Sequence, residues 1–352
     1  MIATIIGTRP EIIKMSRLIP LLDKNFNHVF IFTCQHYSEN MSDIFFKELK
    51  VRNPDELLNA RTSNYSVLIN LCAKVLKKIN PDQILVYGDT NSTLAACVAA
   101  KILNKSVIHV EAGLRSFDPE MLEEANRIIV DHLSQILFTP TQYTKSLLKN
   151  EEIVENVFVV GNTIVDAVNF YLKEIKNSKI LNELNLSAEE YILLTLHRAE
   201  TVDRPERLRI IFEAVNKIEN KIIFPIHPRT KKRIKEFNLK IPKNVILIRP
   251  LGYFDFLNLL KNSSMVLTDS GGVQEEAVTL KIPCVTLRKF TERQETVKLG
   301  VNFLTGYNKK NIIKYVNYIK QNNLKKKIKN IKNPYGDGKT SIKIIRILKK
   351  VK

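Results

Sequence analysis

The chain has 352 residues, 44% of them hydrophobic and 26% charged, which gives two globular domains room for separate cores. Its four scattered cysteines (Cys34, Cys72, Cys97 and Cys284) lack metal-ligand or redox spacing and read as buried thiols of a reducing cytoplasm, and no apolar run reaches the roughly 18 residues of a membrane span. The formal net charge of +19 raises nucleic acid as a partner, but fifteen basic residues and a single acid, Asp337, fall within 301–352, so the excess is a C-terminal feature.

The first half alternates strand and helix. An apolar strand over 2–6 is expected to start at the chain's beginning, which leaves no room for a signal peptide. The turn Gly7-Thr8-Arg9-Pro10 follows, then a helix over 11–22, a strand over 28–33 and a loop with Gln35-His36-Tyr37. Residues 65–78 are amphipathic. Strand 84–87, helix 91–102, strand 106–110, helix 122–134 and strand 135–138 complete the rhythm of a parallel sheet covered on both faces. Apolar patterning thins near 165–190, where Lys, Asn and Glu crowd together. It then restarts with strand 191–196, helix 205–218, strands 221–226 and 245–248, helix 254–261, strand 264–268, helix 274–280 and strand 283–287. Two Rossmann-like domains facing each other across a cleft are the expected architecture, with a divide at 167/168. In the lysine-rich tail Ile, Leu and Val interleave at helical spacing. That predicts amphipathic helices with a solvated basic face, without the aromatic interleaving or motifs of a nucleic-acid binder.

Chemistry concentrates where strands end. Buried parallel strands read as continuous Val, Ile and Leu, and ligands of open α/β sheets bind beyond their carboxyl ends. Two such runs end on acids beside glycine, Gly88-Asp89-Thr90 and Glu111-Ala112-Gly113, and Glu123 follows in Glu123-Glu124-Ala125-Asn126-Arg127. Asp89 is also placed to cap the next helix, and Glu123 to pair with Arg127 at i,i+4. Acids converging with Arg9, Arg115 and Arg127 instead suit acid–base work. Lys14 reads either as a solvated helix lysine or as part of this mouth. His197 and His227 end strands of the second half and are candidates for function, whereas His109 lies within a strand and reads as structural. Thr268-Asp269-Ser270-Gly271-Gly272 is a strand, a glycine turn and a helix start, which suits a phosphate. Glu275 and Glu276 either complement that helix's dipole or accept ribose hydroxyls. The turn is neither a Walker loop nor a GxGxxG fingerprint, and no metal-ligand spacing occurs, so neither metal nor redox cofactor is expected.

These motifs, together with His109-Val110-Glu111-Ala112-Gly113-Leu114-Arg115, Gly161-Asn162-Thr163-Ile164-Val165-Asp166, His197-Arg198, Thr291-Glu292-Arg293 and Asn333-Pro334-Tyr335-Gly336-Asp337-Gly338, resemble the non-hydrolysing UDP-N-acetylglucosamine 2-epimerases nearly end to end. Gln35-His36-Tyr37 and His227-Pro228-Arg229-Thr230 are most similar to the archaeal type. The resemblance implies the GT-B arrangement, with residues 340–352 returning to the first domain and the second domain spanning 168–339. It implies reversible C2 inversion of UDP-GlcNAc through enzyme-bound 2-acetamidoglucal, for surface polysaccharide or glycan precursors, in a cytoplasmic homodimer. Asp89, Glu111, Glu123 and His197 fall on catalytic positions. Arg9, Lys14, Arg127, Ser270, Gly271, Gly272, Glu276 and Arg293 fall on substrate or UDP positions, and Gln35 and His36 on an activator segment. Gln294 and Met121-Leu122 stand where many members have proline. The alternatives are an epimerase of a related UDP-sugar (a 2,3-diacetamido uronate or a 6-deoxy sugar), a hydrolysing epimerase, or a GT-B glycosyltransferase.

Overall fold

The computed structural model describes residues 1–35 and 45–351. The chain divides into two compact units, Met1–Asn169 with Tyr335–Lys352, and Phe170–Pro334. His36 and Tyr37 lie outside the described residues.

The first unit holds a parallel sheet of strands β1 (Ile2–Ile6), β2 (His28–Phe32), β3 (Glu56–Leu57), β4 (Gln83–Tyr87), β5 (Ser106–Val110), β6 (Ile136–Thr139) and β7 (Val157–Val159). Their order is β3-β2-β1-β4-β5-β6-β7, and β1 pairs β4 from Ile2 opposite Gln83 to Ile5 opposite Val86. Every residue of β1 is buried, which is why its sequence is an apolar run and not an alternation. The order reverses direction between β1 and β4, so the crevice beyond their carboxyl ends is the switch point where such sheets take ligands. The strands ending there lead into Gly7-Thr8-Arg9 and Gly88-Asp89.

Helix Asn91–Ile102 packs against helix Tyr65–Ile79 on one side and Leu122–Leu133 on the other. Ala95, Ala96, Cys97, Ala99 and Ala100 are fully buried on it, and their small side chains let the neighbours approach closely. The Cys72 and Cys97 thiols sit in this core, where burial pushes both up to about 12 and leaves them unreactive.

The second unit repeats the plan with β8 (Tyr191–Thr195), β9 (Lys221–Pro225), β10 (Val245–Ile248), β11 (Met265–Thr268), β12 (Cys284–Thr286) and β13 (Asn302–Leu304), in the parallel order β10-β9-β8-β11-β12-β13. Its switch point falls between β8 and β11, whose ends lead to His197 and to Asp269-Ser270.

The structure corrects several sequence expectations. The helix expected over 11–22 is two, Arg9–Met15 and Ile19–Asn25, because Pro20 lacks the N–H an interior position needs and instead sits in a first turn. The helix expected from 274 starts at Gly271, with Ser270 as its N-cap. Strands β3, β7 and β13, two or three residues each, were not anticipated.

The chain re-enters the first unit at Tyr335, whose carbonyl accepts the Asn162 N–H at 2.8 Å. Asp166 accepts the N–H groups of Thr340 and Ser341 at 3.0 and 2.7 Å and so caps the last helix, Thr340–Leu348. Gly161 has φ +104°, and a Cβ on it would stand 2.5 Å from Thr340 Oγ1 and 2.8 Å from the Tyr335 carbonyl. The crossing therefore requires glycine there. Among the described residues no helix is long and apolar enough to cross a membrane.

Candidate active site

In the first unit the Arg9 turn is held from below by Glu11. Its Oε2 accepts the N–H groups of Gly7 and Thr8 at 3.1 and 2.8 Å and the Thr8 hydroxyl at 2.7 Å. Its Oε1 lies 3.3 Å from both Thr90 Oγ1 and Thr93 Oγ1, so one carboxyl ties the arginine turn to the turn that carries Asp89. Burial raises Glu11 to about 7, against the lowering effect of these donors. The Arg9 guanidinium lies 5.6 Å from the Phe45 ring centroid and is lowered by burial.

Asp89 is not the cap of the following helix. Thr90 is, accepting the Thr93 N–H at 3.2 Å, and Asp89 instead takes both Nε and Nη2 of Arg127. Arg127 also bonds Glu124 through Nη1. Glu124 in turn accepts the N–H groups of Ser116 and Phe117 and the Ser116 hydroxyl, so it is the acid of the Glu-Glu pair that fixes the preceding loop. Glu123 is half-buried near Tyr65, whose hydroxyl is raised first by burial and also by that carboxylate. On this helix Arg127 pairs with Glu124 at i,i+3 and reaches across to Asp89.

Glu111 follows β5 with φ +73°, a left-handed backbone that a non-glycine residue adopts at a cost of about 1–3 kcal/mol. Its Oε2 receives Lys14 Nζ, the Tyr87 hydroxyl at 2.9 Å and Asn162 Nδ2 at 2.8 Å. Lys14 is therefore not a solvated helix lysine: it is 7% exposed and directed at Glu111. His109 is structural, as its position implies. Its Nδ1 meets Asp131 at 2.7 Å, and its Nε2 holds the Gly88 carbonyl at 2.8 Å, just before Asp89. Arg115 does not join the three acids. It pairs with Asp131 at 2.7 Å and Glu151 at 2.6 Å. Gln35 is buried, and its carboxamide oxygen accepts the N–H and hydroxyl of Ser92 at 3.0 and 2.8 Å.

In the second unit Asp269 is fully buried after β11 and accepts the N–H groups of His197 and Arg198, each at 3.0 Å. His197 Nδ1 stands 3.5 Å from the same carboxylate, while its side chain is 41% exposed. His227 caps helix Pro228–Glu236, its Nδ1 accepting the Arg229 N–H at 3.2 Å, and its ring lies 5.9 Å from that of His197. Helix Gly271–Thr279 presents Gly271 and Gly272 at its N-terminus, where unpaired N–H groups and the helix dipole favour an anion. Arg293 lies against that start: its Cζ is 3.7 Å from where a Gly271 Cβ would be. Its Nε pairs with fully buried Glu275 at 2.5 Å. Gln274, missed by the sequence reading, takes the Thr291 hydroxyl at 2.7 Å and Asn302 Nδ2 at 2.9 Å, tying helix, arginine loop and β13 together.

The first unit sets Arg9 and Asp89 on the turns at its switch point, and the second sets a glycine helix start beside a buried arginine at its own, the places where parallel α/β sheets take ligands. The comparisons agree. Residues 21–349 match the family model described as UDP-N-acetylglucosamine 2-epimerase. The chain is 50% identical to the UDP-N-acetylglucosamine 2-epimerase of Methanocaldococcus jannaschii, over 99% of this chain and 98% of that one. It is 38% identical to the UDP-2,3-diacetamido-2,3-dideoxy-D-glucuronate 2-epimerase of Pseudomonas aeruginosa, over 99% of each. The crystal structure of the M. jannaschii enzyme in complex with UDP-GlcNAc and UDP matches with a TM-score of 0.92 at 49% identity, over 99% of each chain. The chain belongs to the UDP-N-acetylglucosamine 2-epimerase family, a family of isomerases with Rossmann-like units.

Proposed function

We propose that the protein interconverts UDP-N-acetylglucosamine and UDP-N-acetylmannosamine by eliminating UDP and adding it back. The observation that carries this reading is the Glu111 site: an acid on a strained strand end, with its donors supplied by Lys14, Tyr87 and Asn162. In the reaction one carboxylate removes the C2 proton. The C–H electron pair forms the C1–C2 double bond of 2-acetamidoglucal, and the C1–O pair leaves with UDP. Readdition after protonation on the opposite face gives the epimer.

Asp89, Glu111 and Glu123 handle the protons, and His197 acts beside the leaving group. Ser270, Gly271 and Gly272 take the diphosphate, with charge support from Arg9, Arg127 and Arg293. Glu276 takes the ribose. Lys14 acts through Glu111 and not on UDP directly, since its ammonium is already on that carboxylate. Gln35 and His36 contribute to an activator segment. The enzyme works as a cytoplasmic homodimer.

Nuclear magnetic resonance of products tests this. UDP-GlcNAc is expected to yield UDP-ManNAc until the two reach equilibrium from either side. Free N-acetylmannosamine with stoichiometric UDP would identify a hydrolysing enzyme instead. Turnover of a UDP-2,3-diacetamido uronate alone would move the assignment to that sugar.

A further inference from the structure

Tyr87 ends β4 and is 1% exposed, the profile of a core aromatic, yet its hydroxyl belongs to an oriented chain. Thr163 Oγ1 donates to it at 3.0 Å, and its own proton goes to Glu111 Oε2 at 2.9 Å, the shorter of two contacts, with Asn162 Oδ1 at 3.3 Å. Asn162 Oδ1 accepts the Ile164 N–H at 3.0 Å, which turns its Nδ2 toward Glu111. With Lys14 Nζ, three donors converge on the single oxygen Oε2, from helix Arg9–Met15, from β4 and from the turn that opens helix Thr163–Phe170. Donors arriving from three elements fix the orientation of the carboxylate. The other oxygen lies toward Gly88: a Cβ added there would be 3.8 Å from Oε1.

We infer that Tyr87 and Asn162 are positioning residues that hold the Glu111 carboxylate in the orientation from which it exchanges a proton with C2 of the sugar. The inference rests on the epimerase reading. In its step the C2–H bond breaks and an O–H bond forms on that carboxylate. The C–H pair becomes the C1–C2 double bond, and UDP departs with the C1–O pair. Without the Tyr87 hydroxyl Oε2 loses a donor and the carboxylate gains freedom to rotate away from the sugar.

Tyr87→Phe keeps the ring and removes only the donor. The hydrogen bond it loses is to a charged group, so kcat for UDP-GlcNAc is expected to fall about 10- to 100-fold, while KM and the Kd for UDP stay within about 2-fold. Thr163→Val, which removes the donor into Tyr87, is expected to give a smaller loss of the same kind. Each variant is to be assayed with its melting temperature, alongside wild-type exchange of the C2 hydrogen in D2O. Wild-type kcat in Tyr87→Phe overturns the inference. So does a joint fall in kcat, UDP affinity and melting temperature, since that marks Tyr87 as packing alone. A wild-type enzyme that never exchanges the C2 hydrogen overturns the epimerase reading, and the inference with it.

Discussion

Asp89, one of the acids proposed to move the C2 proton, bonds a buried arginine through two of its nitrogens. Asp89→Asn keeps the side chain's shape and loses its charge. It is expected to slow turnover about 10²- to 10⁴-fold while UDP binding stays near wild type, as steady-state kinetics and UDP titration would measure. Equal turnover would remove Asp89 from proton transfer. Asp89 and Glu111 were legible in sequence because an acid ending an apolar run has no business in a core. Tyr87 was not, since an aromatic at the end of a strand reads as packing until its hydroxyl is seen to have partners. Nor could sequence say which of Glu123 and Glu124 turns inward, because one residue is a 100° rotation on a helix. Lys14 was left open for the same reason.

Glu11 gives the residue scale its pH dependence. Its folded value is raised to about 7 by burial, well above that of an ordinary glutamate. Such a group contributes stability that is fully present below the unfolded value and lost as pH rises through the folded one. The neutral acid fits: Oε2 keeps accepting the two N–H groups, and a proton on Oε1 donates to a threonine hydroxyl. Denaturant unfolding from pH 4.5 to 7.5 is expected to show a decline in wild-type stability that Glu11→Gln lacks. Parallel curves would contradict this.

At the scale of elements, two features carry the second unit's anion site and the first unit's closure. The helix start at Gly271 is tight: a Cβ would lie 2.9 Å from buried Glu292 Oε1, so that side chain would have to shift. Gly271→Ala is therefore expected to weaken UDP binding about 10-fold or more by shifting the Glu292–Arg293 loop, with little effect on the first unit's stability. Calorimetric titration with UDP measures it, and unchanged affinity would argue against the cradle. Gly161→Ala attacks the return crossing, where φ is +104° and the Tyr335 carbonyl is 2.8 Å from the new carbon. A loss of about 2–4 kcal/mol is expected in unfolding experiments, with earlier proteolysis of the last helix. The longer strands and helices were readable from continuous apolar runs and caps. Strands β3, β7 and β13 were not, because two or three residues show no period. The break between Arg9–Met15 and Ile19–Asn25 was written in Pro20, a residue the apolar pattern outweighed.

At the scale of the molecule, two sheets share one logic: a central strand, β1 or β8, from which the order runs outward in both directions. Alternation of elements announced two parallel sheets. It did not announce strand order, which depends on crossovers that sequence spacing leaves undetermined, nor the exact point of return at Tyr335, which depends on contacts with Gly161 and Asn162 far back in the chain. The basic tail divides between the units, with helix Lys309–Gln321 in the second and Thr340–Leu348 in the first, each burying an apolar stripe beneath its lysines. That is the solvated basic face read from the sequence.

The central claim is that these carboxylates move one carbon-bound proton while UDP leaves and returns. Incubation of the whole protein with UDP-GlcNAc in D2O tests it most directly, with the C2 position read by proton NMR and mass spectrometry. The account predicts deuterium at C2 of both UDP-GlcNAc and UDP-ManNAc, with a trace of free UDP. A folded, UDP-binding protein that leaves C2 protonated in both sugars would contradict it.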